Sequence, residues 1–89
     1  MYYSDYYAYC AQVYTTISSL TVRTGPSTAY ASDGTLLGGL VTEFDCWVYG
    51  QTIDTNNVWL KLYTAAGSRY VSDRYVYSGP NVKTILSHC

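Results

Sequence analysis

The chain has 89 residues, which is enough for one domain with a modest hydrophobic core. Apolar and aromatic residues make up 48% of the chain, a share too high for a disordered tail. Only 12% of the residues are charged and the net charge is −1, so we expect neither nucleic acid nor a membrane surface as a partner. No apolar run reaches the length that a membrane-spanning helix needs.

The N-terminal segment is dominated by tyrosine, which fills five of the first ten positions. Residues 1–11 show no clear hydrophobic period, and we predict that they form an arm outside the main body. Three alternatives stay open for this arm: a flexible segment, an added edge strand, or a self-association element. The candidate self-association residues are Tyr2, Tyr3, Tyr6, Tyr7, Tyr9 and Cys10.

Residues 12–79 alternate between short strand-like runs and turn clusters, a pattern typical of an all-β domain. We predict a small, strongly bent barrel of five or six strands. Strand-like runs occupy residues 13–16, 20–23, 40–49, 58–63, 69–71 and 75–77, with a possible bulge in the long third run.

Turn signals separate these runs. Residues 24–28 and 55–57 are predicted turns, and residues 72–74 are predicted to form one 3-10 turn before the last strand, capped by Ser72 or Asp73. Residues 80–89 form a tail that carries enough apolar residues to pack back onto the barrel.

The three cysteines, Cys10, Cys46 and Cys89, are widely spaced. The only histidine is His88 and no Cys-x-x-Cys pair occurs, so we predict no metal site and no cofactor. Low charge and a small core fit an extracellular domain with one disulfide. Each of the three possible pairings leaves one thiol over.

Catalytic patterns are poor, and we predict that the chain is not an enzyme. His88 and Cys89 are adjacent in sequence, and neighbours rarely point at each other. Glu43 and Asp45 share one strand face without a second domain to form a cleft, so a solvated face is the simpler interpretation.

A family resemblance begins at residues 20–30, whose sequence is LTVRTGPSTAY. This stretch resembles the opening motif of bacterial SH3-like (SH3b) domains, in which an apolar residue, Val, Arg, Ser or Thr, Gly and Pro lead into a loop that ends in Tyr. Residues 34–36 (GTL), Trp59 and residues 67–72 (GSRYVS) match later segments of the family in order. The resemblance covers about residues 12–79 and implies an SH3-like barrel.

The closing segment, residues 70–79 (YVSDRYVYSG), together with the terminal Cys89, is most similar to a secreted subgroup of this family. That subgroup occurs in actinobacteria and fungi, appended to muramidases and other cell-wall-active enzymes. Its members often carry Cys where this chain has Val22 and Arg69. The resemblance therefore implies that Cys46 pairs with Cys89, that Cys10 lies outside the pattern, and that the protein is secreted to the cell wall.

Binding is favoured over catalysis, because a surface of tyrosine, hydroxyl and amide groups suits contact with a glycan. Candidate ligand-binding residues are Tyr30, Trp47, Tyr49, Tyr70, Tyr75 and Tyr77. Trp59 is expected in the core, and Trp47 is expected to be exposed beside Tyr49. Arg23 is expected to point outward, to pair with Asp73 or Asp33, and to hold the following loop.

Two functions follow as expectations. The first is a non-catalytic, secreted module that binds a cell-wall polymer, by a peptidoglycan peptide or by a glycan. The second is a self-assembling extracellular subunit, a homo-oligomer joined by strand addition and by the tyrosine-rich arm. A proline-rich peptide ligand is disfavoured, because the loop at residues 24–28 lacks the acidic residues that such grooves carry.

Overall fold

The structure, a computed structural model, describes residues 9–89 and the backbone of residues 2–4. It confirms the all-β prediction: one antiparallel sheet curls into a half-barrel. The elements are β1 (Tyr2–Ser4), β2 (Tyr9–Val13), β3 (Ser19–Arg23), β4 (Ser32–Leu37), β5 (Val41–Ile53), β6 (Asn56–Leu62), β7 (Tyr70–Ser72), a 3-10 turn (Asp73–Tyr75), β8 (Val76–Tyr77) and α1 (Val82–Ile85).

The strand order across the sheet is β1-β2-β5-β6-β7-β3-β4, and β8 pairs with β2. The eight strands exceed the predicted five or six because the sheet includes very short ones: β1 and β7 have three residues each, and β8 has two. Runs this short carry too few residues to show an alternating pattern in the sequence.

The barrel begins earlier than the predicted boundary at residue 12. Strand β2 pairs with β1, β5 and β8, so it lies inside the sheet. Tyr9 and Cys10, which were predicted for self-association, are only 4% and 9% exposed, and that prediction is wrong for both side chains. Of the three alternatives for the arm, the backbone of residues 2–4 forms the added edge strand, because it pairs with β2. Tyr6 and Tyr7 lie outside the described residues, as do the side chains of Tyr2 and Tyr3.

The core lies on the concave face of the sheet and is built by alternation. In β3, Leu20 and Val22 point inward while Thr21 and Arg23 are half-buried, which is the period-2 pattern of a strand with one covered face. The buried cluster consists of Tyr9, Ala11, Val13, Leu20, Val22, Phe44, Trp47, Val58, Leu60, Val71, Val76, Val82 and Leu86.

A bulge in β5 turns one long strand into two halves with different partners. The first half pairs with β2 and the second with β6, and the register with β6 shifts between Phe44 and Cys46. The successive residues Cys46 and Trp47 are both buried because both faces of the strand are covered here: Cys46 is bonded to Cys89 of the tail, and Trp47 belongs to the core cluster. The predicted bulge is confirmed. The expected exposure of Trp47 is wrong, because only 7% of this residue is accessible.

The hairpin between β5 and β6 turns through Asp54 and Thr55, one residue earlier than predicted. Both residues have positive φ angles, 47° and 71°, as in the two-residue turns that match strand twist. Asn56 belongs to β6, and its Oδ1 accepts a hydrogen bond from the amide of Val58 at 2.9 Å. The side chain of Asn56 therefore extends the turn into the strand.

Thr55 is a β-branched residue in the left-handed region, where such side chains are strained. We expect Thr55→Gly to raise the free energy of unfolding by about 0.5–1 kcal/mol, since relief of strain exceeds the added chain entropy of glycine. Thr52→Gly in the exposed part of β5 is the matched control and should lower it by a similar amount. Urea denaturation measures both. Destabilisation by Thr55→Gly would contradict the expectation.

The single 3-10 turn before the last strand is confirmed. Ser72 caps it, because its hydroxyl accepts a hydrogen bond from the amide of Arg74. The turn closes when the amide of Val76 donates to the carbonyl of Asp73. These contacts position Tyr75 between β7 and β8.

The C-terminal tail packs back as expected. It forms the short helix α1, from which Val82 and the following Leu86 enter the core cluster, whereas Ile85 is 40% exposed. The end of the tail then runs beside β5: the amide of Trp47 donates to the carbonyl of Ser87, and the amide of Cys89 donates to the carbonyl of Trp47, both at 2.9 Å. The tail therefore covers Trp47.

A disulfide joins Cys46 to Cys89 across 43 residues of sequence, in agreement with the pairing that the family resemblance implied. Cys10 is the remaining free cysteine and is buried in β2. A structural disulfide of this kind is compatible with an extracellular protein.

Candidate functional site

One groove of about 370 Å³ opens between β3, the tip of the β5–β6 hairpin and the 3-10 turn. Its floor is apolar and its rim carries hydroxyl groups. The lining residues are Ile17, Ser19, Leu20, Thr21, Arg23, Thr28, Ile53, Trp59, Ser72 and Tyr75. An apolar floor with a few polar groups at the rim is the usual composition of a ligand-binding pocket.

Gln51 of β5 holds the loop that forms one wall of the groove. Its side-chain Oε1 accepts hydrogen bonds from the amide of Thr28 at 2.8 Å, from the Thr28 hydroxyl at 2.7 Å and from the Ser27 hydroxyl at 3.1 Å. The amide of Gln51 also donates to the carbonyl of Pro26 at 3.0 Å. Four bonds to one glutamine fix this wall against β5.

Arg23 and Tyr30 secure the other end of the same loop. A guanidinium N–H of Arg23 donates to the carbonyl of Tyr30 at 3.2 Å. The Tyr30 ring lies directly over Gly25, where a Cβ would stand 2.5 Å from ring carbons, so only glycine fits at this position. Arg23 therefore holds the loop as expected, but it does so through a backbone carbonyl and not through Asp73 or Asp33.

Trp59 forms part of the groove floor although it is only 2% exposed. Its indole Nε1 donates to the carbonyl of Gln51 at 2.9 Å, which fixes the ring orientation and satisfies its buried polar atom. The expectation of a core position is confirmed, and the same side chain also contacts the groove.

Tyr75 forms the wall opposite the loop and belongs to an aromatic cluster outside the groove. Its ring meets Tyr14 edge-on at 6.2 Å, and Tyr14 stacks on Tyr77 at 4.4 Å. The guanidinium of Arg74 lies 5.2 Å from the Tyr75 ring centre and pairs with Asp54 at 3.5 Å. The hairpin tip is thus joined to the 3-10 turn across the end of the groove.

The buried side chain of Asp73 anchors the 3-10 turn to neighbouring segments. Only 9% of this residue is exposed, and its carboxylate accepts hydrogen bonds from Asn56 Nδ2 at 3.0 Å and from the Ser78 hydroxyl. Burial raises the pKa of Asp73 above its ordinary value, and the two hydrogen bonds only partly offset that effect. The carboxylate ties together the hairpin, the 3-10 turn and the segment after β8.

The six candidate ligand residues do not form one site. Tyr75 lines the groove; Tyr77 lies behind it, and Tyr70 is half-buried in β7. Tyr30 is 50% exposed on the loop but does not line the groove. The alternation argument missed Ile17, Ile53 and Thr28, since they come from separate loops and a hairpin tip, where no period exists to indicate a shared direction.

Trp47 and Tyr49 lie together at the tail. Tyr49 is 52% exposed and meets Trp47 edge-on at 4.9 Å, while His88 stacks over Trp47 at 4.2 Å. Lys83 Nζ lies 5.2 Å from the Tyr49 ring centre. His88 therefore covers the indole face, and the accessible aromatic ring here is that of Tyr49.

No protein-family model, curated protein or solved structure matches the chain. Over residues 2–4 and 9–89, no helix is long and apolar enough to cross a membrane. In the same part of the chain, no three or more His, Cys, Asp or Glu side chains come together in a way that could hold a metal ion.

Proposed function

We propose that this protein is a non-catalytic, secreted module that binds a cell-wall polymer in the groove between β3 and the 3-10 turn. The observation that carries the proposal is the lining of the groove, in which the half-buried ring of Tyr75 lies among the hydroxyl groups of Thr21 and Thr28. Aromatic rings provide faces for sugar rings or aliphatic peptide groups, and hydroxyls bond to their polar atoms.

Three further features support the proposal. The groove wall is held rigid by Gln51, so a ligand meets a preformed surface and binding orders little of the protein. The Cys46–Cys89 disulfide suits an extracellular setting. The resemblance of residues 20–30 to the SH3b opening motif points to the same function.

Sedimentation with insoluble wall polymers tests this function. We expect the protein to sediment with peptidoglycan, and Ser19→Gln to reduce retention at least about tenfold by filling the groove mouth. Thr84→Gln, at an exposed position on α1, is the matched control and should bind as the wild type does. Chitin in a parallel arm distinguishes a general glycan ligand from one that needs the peptide.

Tyr49→Ser removes the exposed aromatic ring near the tail. This variant decides whether the polymer binds in the groove or at the surface around Tyr49. Unchanged retention of this variant supports the groove. Retention lost in Tyr49→Ser but kept in Ser19→Gln would contradict the groove as the binding site. No retention of the wild-type protein on either polymer would contradict wall binding altogether.

Self-assembly by strand addition is a second candidate, favoured by strand β4. It lies at one end of the strand order and, in the described part of the chain, pairs with β3 alone. Leu37 at its end is 70% exposed, and Leu40 and Val41 follow at 40% and 43%. An open, weakly charged edge is a template for another strand.

Light scattering at increasing concentration tests this candidate. Strand addition through β4 predicts masses above the 9.9 kDa of one chain, and Leu37→Lys should return the protein to a monomer because a charged edge residue opposes pairing. The control is Thr84→Lys, which adds the same charge away from the edge. A mass of one chain at every concentration would contradict self-assembly.

A further inference from the structure

Arg23 is the charged side chain among the residues that line the groove. It lies at the end of β3, beside the hydroxyls of Thr21 and Thr28. The residue is half-buried, and the hydrogen bond that its guanidinium makes to the carbonyl of Tyr30 lies at an exposed position. A cation in this position lowers the cost of bringing an anion into the groove.

Arg23 has no acidic partner among the described residues. The ion pairs there use Lys61, Arg69 and Arg74. The nearby carboxylates are engaged elsewhere: Asp33 pairs with Arg69, and Asp73 accepts from two neutral side chains. Among residues 9–89, the guanidinium of Arg23 therefore forms no ion pair.

The guanidinium also keeps donors available. It has five N–H groups in a planar fork, and one of them bonds to the carbonyl of Tyr30. That bond fixes the side chain without using the whole fork. The remaining donors match the two oxygens of a carboxylate, and such charge-assisted pairs are stronger than neutral ones.

We propose that the groove binds a ligand carboxylate through Arg23, while Trp59, Ile53 and Tyr75 contact the adjoining apolar part of the ligand. This inference rests on the proposed function, because it specifies what that same groove selects. A wall polymer offers this group from two sources: the free C-terminus of a stem peptide, or a uronic acid in a glycan. The shared chemistry is a single carboxylate next to an aliphatic or sugar surface.

The test is an NMR titration of the labelled protein with matched soluble ligands. One pair is a muramyl tetrapeptide with a free C-terminal carboxylate and the same compound as its carboxamide. The other pair is a glucuronate disaccharide and its methyl ester. We expect the acid of at least one pair to bind on the order of tenfold more tightly than its neutral form, with shifts at the Trp59 indole and at Tyr75.

Substitution of Arg23 separates ligand binding from loop support. Arg23→Gln retains an N–H donor for the carbonyl of Tyr30 but loses the charge, so we expect it to abolish the preference for the acid and to leave binding of the neutral form unchanged. Arg23→Lys should keep part of the preference. Arg69→Gln is the matched control, because it removes an arginine that pairs with Asp33 and does not line the groove.

Equal binding of acid and neutral forms by the wild type would overturn the carboxylate inference, as would Arg23→Gln weakening both forms equally. Absence of shifts with all four ligands would overturn it as well. Failure of the proposed wall-binding function would give a different result from failure of the carboxylate inference. The protein would not sediment with wall polymers, yet the preference for the acid in solution would remain and would identify a carboxylate-peptide or uronate site outside that context.

Discussion

Cys89→Ser is expected to lower the free energy of unfolding by about 3–4 kcal/mol, because the Cys46–Cys89 bridge closes a long loop in the unfolded chain. A domain of this size has only a small total stability, so the variant should be partly unfolded at 37 °C. Urea denaturation with and without dithiothreitol measures the effect. Reduction of the wild type should reproduce the variant, and reduction of the variant should change nothing.

The same substitution should uncover Trp47. The tail is held beside β5 by the disulfide and by two backbone hydrogen bonds between Trp47 and residues 87 and 89. When the tail separates, the stacked His88 leaves the indole face and the Trp47 emission should shift to longer wavelength. Trp59 lines the groove and its indole N–H is bonded to the carbonyl of Gln51, so its emission should change little under conditions where the barrel of the variant stays folded. If the free energy of unfolding of Cys89→Ser lies within about 1 kcal/mol of the wild-type value, the expected stabilisation by the disulfide is contradicted.

Asp73→Ala is expected to cost about 3 kcal/mol, because it leaves the buried hydroxyl of Ser78 and the half-buried amide of Asn56 without an acceptor. The control is Asp45→Ala. That carboxylate is half-exposed and pairs with Lys61 at 3.8 Å, so its loss should cost less than about 1 kcal/mol. Thermal and urea unfolding measure both variants, and equal costs would show that Asp73 is not an anchor.

Asp73→Asn should change the pH dependence of stability. Since burial raises the pKa of Asp73, the folded protein binds more protons than the unfolded chain between the ordinary value near 3.8 and the raised one. The contribution of Asp73 is therefore most favourable at low pH and is lost as pH rises through that window. Asn cannot ionise, so the stability of Asp73→Asn relative to wild type should improve from pH 3 to pH 7. A constant difference would contradict the raised pKa.

Local patterns in the sequence determined much of the barrel. The alternation in residues 20–23 predicted the inward Leu20 and Val22, and residues 72–74 predicted a 3-10 turn capped by Ser72 or Asp73, of which Ser72 is the cap. The bulge in the long strand was also predicted. These features depend on residues a few positions apart, whose side chains favour one backbone conformation wherever the segment lies.

The burial of Tyr9 and Trp47 was decided by tertiary structure alone. Tyr9 is buried because its strand lies between β1, β5 and β8, and its hydroxyl bonds to the carbonyl of Ser78, which is 69 positions away. Trp47 is buried because the tail pairs alongside β5 and His88 stacks on its ring. Alternation indicates which residues share a face of a strand, but a distant segment decides whether that face is covered.

The groove follows the same rule. Ile17, Ile53 and Tyr75 meet there because a loop, a hairpin tip and a 3-10 turn converge when the sheet curls. In the sequence these residues stand in three unrelated contexts. The strand pattern around Arg23 predicted only that its side chain faces solvent and supports the following loop. The sequence determined the strands and the turns of this protein. The curvature of the sheet and the return of its tail decided which side chains share a cavity, because long-range packing, and not local preference, brings them together.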